Sequence, residues 1–284
     1  MSERVTVVEV GPRDGLQNEA SAVPADAKVR FVEALAEAGL PVVEVTSFVS
    51  PRAVPQLADA DEVLPAVQRR EGVRYPVLVP NLRGLERAVA AGADAIAVFT
   101  AASEGFARAN INMTIAESLA AFAPVLEQAL MAGMWTRGYV STAFGCPYDG
   151  AVEPSAVARV ASELAALGCA EVSVGDTIGV ARPEQVPGVV AAVDERVPLD
   201  RIALHLHDTS GRALDNVAAG LEAGVRTFDS SAAGLGGCPF APGAPGNVAT
   251  EALVRFVHRQ GLETGVDPDA VERAGQAVRA RLAA

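Results

Sequence analysis

One unit recurs along the chain: an alanine-rich amphipathic helical stretch, a glycine, and a short β-branched run. Ala38-Gly39 precedes Val42-Val43-Glu44-Val45, Ala91-Gly92 precedes Ala95-Ile96-Ala97-Val98, and Ala132-Gly133 precedes Arg137-Gly138-Tyr139-Val140. Leu167-Gly168 stands before Glu171-Val172-Ser173-Val174, and Ala223-Gly224 before Val225-Arg226-Thr227-Phe228. Glycine suits the left-handed residue that ends a helix, so each pair reads as a helix stop followed by a strand. Residues 5–10, 75–78 and 202–206 bring the strand candidates to eight, each followed by a helical stretch. Eight alternating units of this kind predict an α/β fold, a closed (β/α)8 TIM barrel, with an open doubly wound sheet as the lesser alternative. No linker, low-complexity tract or charge block divides the chain, so residues 1–284 are read as a single catalytic barrel domain. An amphipathic stretch over 269–282 exceeds the eighth unit and predicts an additional C-terminal helix, packed on the barrel or at a subunit interface.

The chain has 284 residues, half of them apolar, enough for a large core. A formal net charge of -12 argues against nucleic acid and anionic membrane surfaces, which select basic patches. A small-molecule enzyme fits better. The N-terminus lacks the basic and long apolar regions of a signal peptide, and charges interrupt apolar stretches before membrane-spanning length, so a cytoplasmic protein is expected. Three cysteines, Cys146, Cys169 and Cys238, suit reduced thiols better than a disulfide framework.

Barrel enzymes carry their chemistry on the loops that follow the strands. The unusual residues of this chain collect there. After the first strand comes Gly11-Pro12-Arg13-Asp14-Gly15-Leu16-Gln17-Asn18-Glu19, and the second carries Glu44 before Thr46-Ser47-Phe48. The sixth ends in Ser173-Val174-Gly175-Asp176-Thr177 and the seventh in His205-Leu206-His207-Asp208. The eighth leads into Gly234-Leu235-Gly236-Gly237-Cys238-Pro239.

His205 and His207 are two of only three histidines. Side chains at i and i+2 project from the same face of a strand, so both imidazoles reach one point. A hard divalent ion with mixed oxygen and imidazole ligands would take Asp14, His205, His207 and a fourth donor, for which Asn247 is the best candidate. Mg²⁺ or Mn²⁺ suits this set better than structural zinc, without eliminating zinc. Taken singly, Asp14 also reads as a turn aspartate and Asn247 as a helix N-cap. Their common placement on the rim favours ligation.

Arg13 adjoins Asp14, where its guanidinium would stabilise an enolate or carboxylate oxygen or, alternatively, form an ion pair. Glu44 lies inside an apolar strand, where an unpaired carboxylate is costly, so it is either paired or functional near the metal. Asp176 has the same two readings. Cys238 sits in a glycine- and proline-rich loop and reads as an acid or base on a lid. Cys169 reads as buried, and Cys146 is open. The only lysine, Lys28, falls in the first helical stretch, away from any strand end, which argues against a Schiff-base aldolase. No Gly-x-Ser-x-Gly elbow is present, which weakens a serine-hydrolase reading.

These motifs resemble those of the hydroxymethylglutaryl-CoA lyases, within a larger group of metal-dependent (β/α)8 lyases, synthases and aldolases. The resemblance runs from about Val5 to Gly265. Its broad signatures are Gly11 to Glu19 and His205-Leu206-His207-Asp208-Thr209, and its narrower ones Thr46-Ser47-Phe48-Val49-Ser50-Pro51 and the Cys238 loop. The resemblance implies metal ligation by Asp14, His205, His207 and Asn247, with Arg13, Glu44, Asp176, Cys238 and Glu251 around the reacting centre. Gln17 and Ser47 fall inside the motifs and are expected, with Arg137, to contact substrate; for Arg137 a structural ion pair is the equal alternative.

The implied reaction is cleavage of 3-hydroxy-3-methylglutaryl-CoA to acetoacetate and acetyl-CoA, with Mg²⁺ or Mn²⁺ as cofactor and a homodimer as the assembly. Cys238 or a metal-bound water would return a proton to the enolate carbon, and the choice of acid and base stays open. A lyase for a longer or branched 3-hydroxy-3-alkylglutaryl-CoA is the nearest alternative, because the motifs define the cleaved core rather than the alkyl pocket. A Claisen synthase acting on an acyl-CoA and a 2-oxoacid is the next, disfavoured by the short stretch after the barrel.

Overall fold

The computed structural model describes residues 4–236 and 246–282. Its strands are β1 (Thr6–Glu9), β2 (Val42–Val43), β3 (Thr46–Ser47), β4 (Val77–Leu78), β5 (Ala95–Ala101), β6 (Trp135–Ser141), β7 (Glu171–Asp176), β8 (Ile202–Leu206) and β9 (Thr227–Ser230). All neighbouring strands run parallel, in the order β2-β1-β9-β8-β7-β6-β5-β4-β3. The two ends of that order belong to one stretch of chain. Val42–Val43 pairs with β1 while Thr46–Ser47 pairs with β4, and between them Glu44 N–H donates to Glu9 C=O and Val45 N–H to Pro76 C=O. Residues 42–47 therefore bond on both sides and close the ring, as the expected α/β TIM barrel requires.

The second expected strand is thus two short pairs instead of one run. Pro76 lacks an N–H to return to the facing strand, so the ladder there is interrupted. Parallel strands need long crossovers, and the helices supply them. They are α1 (Ala25–Glu37), α2 (Ala60–Ala66), α3 (Leu82–Ala90), α4 (Glu104–Ile111), α5 (Ile115–Met131), α6 (Pro154–Ala166), α7 (Val186–Asp194), α8 (Ala213–Glu222), α9 (Thr250–Arg259) and α10 (Pro268–Leu282). The expected helix stops hold: Gly39, Gly92, Gly133, Gly168 and Gly224 all have positive φ. Gly39 has a second reason to be glycine, since a Cβ there would stand 2.3 Å from the carbonyl oxygen of Gly265.

One apolar cluster runs from Val5 to Val278, packing the outer faces of the strands against the helices. Leu78, Ala97 and Tyr139 form a smaller apolar group with Phe99. The additional C-terminal helix, α10, buries Val271, Ala274, Gly275 and Val278 and lies against α1 and the turn at residues 232–234. Arg279 Nη2 donates to Ala233 C=O at 2.5 Å, so this helix braces the segment that follows β9. Among the described residues, no helix is long and apolar enough to cross a membrane.

Candidate metal centre and active site

His205 ends the apolar run of β8, and His207 lies just beyond it, joined to Asn247 by an isolated antiparallel bridge. The i, i+2 spacing does what strand geometry demands: the two Nε2 atoms stand 3.2 Å apart. Asp14 reaches the same place from a five-residue π-helical turn, Gly11–Gly15, that follows β1. Ligand atoms of Asp14, His205 and His207 all lie within 4.8 Å of one another. Asn247 completes the arrangement, its Nδ2 donating to Asp14 Oδ2 at 2.8 Å and to Leu235 C=O at 3.2 Å.

Tautomers follow from the partners. Burial opposes the charge on Asp229, yet Arg137 and His205 hold its pKa down at about 2. An ionised carboxylate only accepts, so the 3.1 Å contact from His205 Nδ1 to Asp229 Oδ2 places a proton on Nδ1 and turns Nε2 towards His207. Burial, then the neighbouring His205, push His207 down to about 4 against the pull of Asp14, so His207 is neutral near pH 7. Two imidazoles with converging nitrogens, beside a carboxylate held below its usual range by Arg13 despite burial, suit a shared divalent cation. The residues present fit the expected metal.

Arg13 is buried, 6 % exposed. Its Nε donates to Glu44 Oε2 at 2.9 Å, its Nη2 forms an ion pair with the same oxygen at 2.8 Å, and its Nη1 donates to Asp14 Oδ1 at 2.7 Å. Burial opposes its charge, but Glu44 and Asp14 outweigh that and hold its pKa above the ordinary value. Glu44 also accepts the Tyr139 hydroxyl at 2.9 Å on Oε2, while its Oε1 has no partner among the described residues. Of the two readings of Glu44, the pairing is the one observed, through an arginine that also bonds Asp14. Gln17 lies at the same place, its Nε2 on Asp14 Oδ1 at 2.9 Å.

The other expected residues make their hydrogen bonds outside this group, although Asp176 is near enough to His205 for the two charges to interact. Ser47 is buried on β3 with its hydroxyl 3.5 Å from Leu78 C=O. Asp176 ends β7 and accepts the backbone N–H groups of Val180 and Ala181, shaping the following turn; burial pushes it up to about 6 against those donors. Glu251, in the first turn of α9, accepts Ala233 N–H at 3.0 Å, where Ala233 has a positive φ of 56°. Arg137 is fully buried and bound to Asp229, Glu171 and Tyr139, so its ion-pair alternative is the one the geometry favours over a substrate contact. Cys238 lies outside the described residues. Cys169 is buried and pushed up to about 12 by that burial, and Cys146 is buried with its sulfur accepting two backbone N–H groups. Lys28 is buried on α1 against Asp59, away from the strand ends.

Two further acids, not singled out by their motifs, share with Glu44 the mark of a carboxylate inside an apolar strand. Asp229 interrupts Thr227-Phe228-Asp229-Ser230, and Glu9 interrupts Val7-Val8-Glu9-Val10. Glu9 is fully buried; its Oε1 accepts Gly11 and Ala232 N–H and its Oε2 accepts the Thr250 hydroxyl. It thereby joins the turn that bears Asp14 to the segments flanking Asn247. A Cβ on Gly11 would lie 2.6 Å from Glu9 Oε1, which explains the glycine.

Burial raises Glu9 to about 7 despite its donors. The folded state then holds this proton more tightly than the unfolded chain, so its contribution to stability is present below pH 4.5 and lost as pH rises towards 7. Glu9→Gln removes that titration. Urea unfolding across pH 4.5–8 should show Glu9→Gln gaining about 3 kcal/mol relative to wild type as pH rises. A pH-independent difference would show that Glu9 stays ionised in the fold.

A closed (β/α)8 barrel with a metal-competent Asp-His-His group, Asn247 beside it and a buried arginine at the C-terminal ends of its strands defines a metal-assisted barrel enzyme. Residues 4–278 match the HMGL-like family model, and the chain belongs to that family. It is 52% identical over 275 residues to the mitochondrial hydroxymethylglutaryl-CoA lyase of Mus musculus, covering 97% of this chain and 85% of that protein. The crystal structure of the HMG-CoA lyase from Brucella melitensis superposes with a TM-score of 0.97 at 53% identity, covering 98% of this chain and 99% of that one. An HMG-CoA lyase from Acinetobacter baumannii, in complex with coenzyme A and 3-methylmalate, gives 0.93 at 40% identity, covering 99% and 92%.

Proposed function

We propose that this protein is a carbon–carbon lyase that cleaves 3-hydroxy-3-methylglutaryl-CoA to acetoacetate and acetyl-CoA. The observation that carries the reading is the convergence of Asp14, His205 and His207 beside Arg13, in a chain about half identical to HMG-CoA lyases along nearly its whole length. The barrel with its C-terminal helix is taken as one catalytic unit.

A divalent cation, Mg²⁺ or Mn²⁺, held by Asp14, His205, His207 and Asn247 would lower the pKa of the substrate's C3 hydroxyl and orient it. The remaining work falls to side chains. When that hydroxyl loses its proton, the C2–C3 electron pair moves to the thioester and negative charge grows on its oxygen. Arg13 is assigned to that oxygen: Glu44 and Asp14 hold its guanidinium in one orientation before substrate arrives. Glu44, whose Oε1 has no partner among the described residues, and Cys238, which follows β9 in the chain, are assigned to proton handling. The carbinol proton goes to the base, and C2 takes a proton to become the methyl group of acetyl-CoA. Gln17 and Ser47 are assigned to substrate contacts. A homodimer and a cytoplasmic location belong to the same proposal.

The test is a product assay with 3-hydroxy-3-methylglutaryl-CoA and Mg²⁺ or Mn²⁺, with an EDTA control. The expected result is EDTA-sensitive formation of acetoacetate and acetyl-CoA in equal amounts, with kcat on the order of 1 s⁻¹ or more. Metal binding without cleavage would overturn the substrate assignment and direct the assay to longer 3-hydroxy-3-alkylglutaryl thioesters.

A further inference from the structure

Below the metal group, β6 and β9 place a second set of charges inside the barrel. Arg137 presents five N–H donors, and its contacts employ four. Nε bonds Glu171 at 2.7 Å, Nη1 bonds the Tyr139 hydroxyl at 2.8 Å and Asp229 Oδ2 at 3.1 Å, and Nη2 bonds Asp229 Oδ1 at 2.6 Å. Two branches leave this guanidinium. In one, Asp229, also bonded by the Ser173 hydroxyl at 2.8 Å, accepts from His205 Nδ1. In the other, the Tyr139 hydroxyl accepts from Arg137 and so spends its own proton on Glu44 Oε2, the same oxygen that anchors Arg13. The Tyr139 ring also lies under Arg13, whose guanidinium carbon is 5.2 Å from the ring centroid.

We infer that Arg137, Tyr139 and Asp229 are positioning residues on which the two working groups of the site are mounted separately: Asp229 aims His205, and Tyr139 aims Arg13. An imidazole whose far nitrogen donates to a carboxylate is locked in tautomer and ring orientation, and losing such a partner typically weakens metal binding about 10–100-fold. The Tyr139 ring stands edge-on to His205, with centroids 6.3 Å apart, and Arg13 bonds Asp14, but the Tyr139 hydroxyl bonds only Arg137 and Glu44; removing that hydroxyl while keeping the ring should leave metal affinity alone. The inference rests on the lyase reading only where turnover is the readout.

The test uses Asp229→Asn and Tyr139→Phe in the full-length protein, with the Mn²⁺ dissociation constant measured by EPR without substrate. Exchange of the Arg13 Nε–H with water is followed by ¹⁵N NMR, its resonance assigned by its absence in Arg13→Lys. Asp229→Asn should weaken Mn²⁺ about 10–100-fold. Tyr139→Phe should leave the Mn²⁺ constant within about twofold of wild type, speed Arg13 Nε–H exchange about tenfold or more, and lower kcat with little change in KM. Unchanged Mn²⁺ binding in Asp229→Asn, or unchanged Arg13 exchange in Tyr139→Phe, overturns the corresponding half. Equal loss of Mn²⁺ affinity in both variants overturns the separation and leaves a purely structural network.

Should Asp229→Asn fail to fold because it strands a buried guanidinium, Arg137→Gln/Asp229→Asn removes both charges and meets the same Mn²⁺ criterion. A wild-type protein that binds Mn²⁺ but does not cleave the substrate sinks the lyase reading alone, since Mn²⁺ binding and exchange still decide this one.

Discussion

Arg13→Lys should fold, bind Mn²⁺ with nearly unchanged affinity, and lose on the order of 10²–10³-fold in kcat, comparable to removing one donor aimed at a developing oxyanion. Arg13 makes three charge-assisted contacts at once, two to Glu44 and one to Asp14, and these determine where its remaining donors can point. A lysine ammonium is a compact charge on a flexible stem and cannot span both carboxylates in one plane. It would relieve the charge of Glu44 without delivering an aimed donor. Steady-state kinetics beside Mn²⁺ titration provides the check. Turnover within about threefold of wild type would remove Arg13 from the chemistry and leave it as a buried ion pair.

Asp14→Ala and His207→Ala should each lose metal binding by at least about 100-fold and lose activity with it. That expectation exceeds the effect of residues that only orient a ligand. The two variants should differ in stability. Asp14→Ala strips Arg13 Nη1, Gln17 and Asn247 of a shared acceptor, whereas His207→Ala removes an imidazole whose Nδ1 has no partner among the described residues. Asp14→Ala is therefore the more destabilised, by about 1–3 kcal/mol for stranding buried donors. Metal content after dialysis, read with urea unfolding of the apo proteins, separates the two effects. Normal metal content in either variant would remove that residue from the ligand set.

Much of the site was legible because its spacing is local. His205 and His207 converge by the two-residue period of a strand, and the turn after β1 carries Arg13 and Asp14 side by side. Glu44 was legible through cost, as a carboxylate in an apolar strand. Glu9 and Asp229 carried the same mark but stood in strands with no other distinctive residue. The role of Arg137 was not legible, since an arginine in a strand reads equally as a substrate contact or an ion pair until its partner is known. That partner, Asp229, lies 92 residues away.

The sequence by itself determined the alternation of helix and strand, the glycine stops between them, and the collection of Arg13, Asp14, His205 and His207 at strand ends, all consequences of periodicities within a few residues. Tertiary structure alone decided which of those groups meet. Asp14 and Asn247 are 233 positions apart and touch because residues 42–47 bond on both flanks and close the ring. Closure brings β1 beside β9, and Glu9 then joins the turn of one to the segment following the other. Contacts across a closed barrel depend on the register of every intervening strand, and no local pattern encodes that sum.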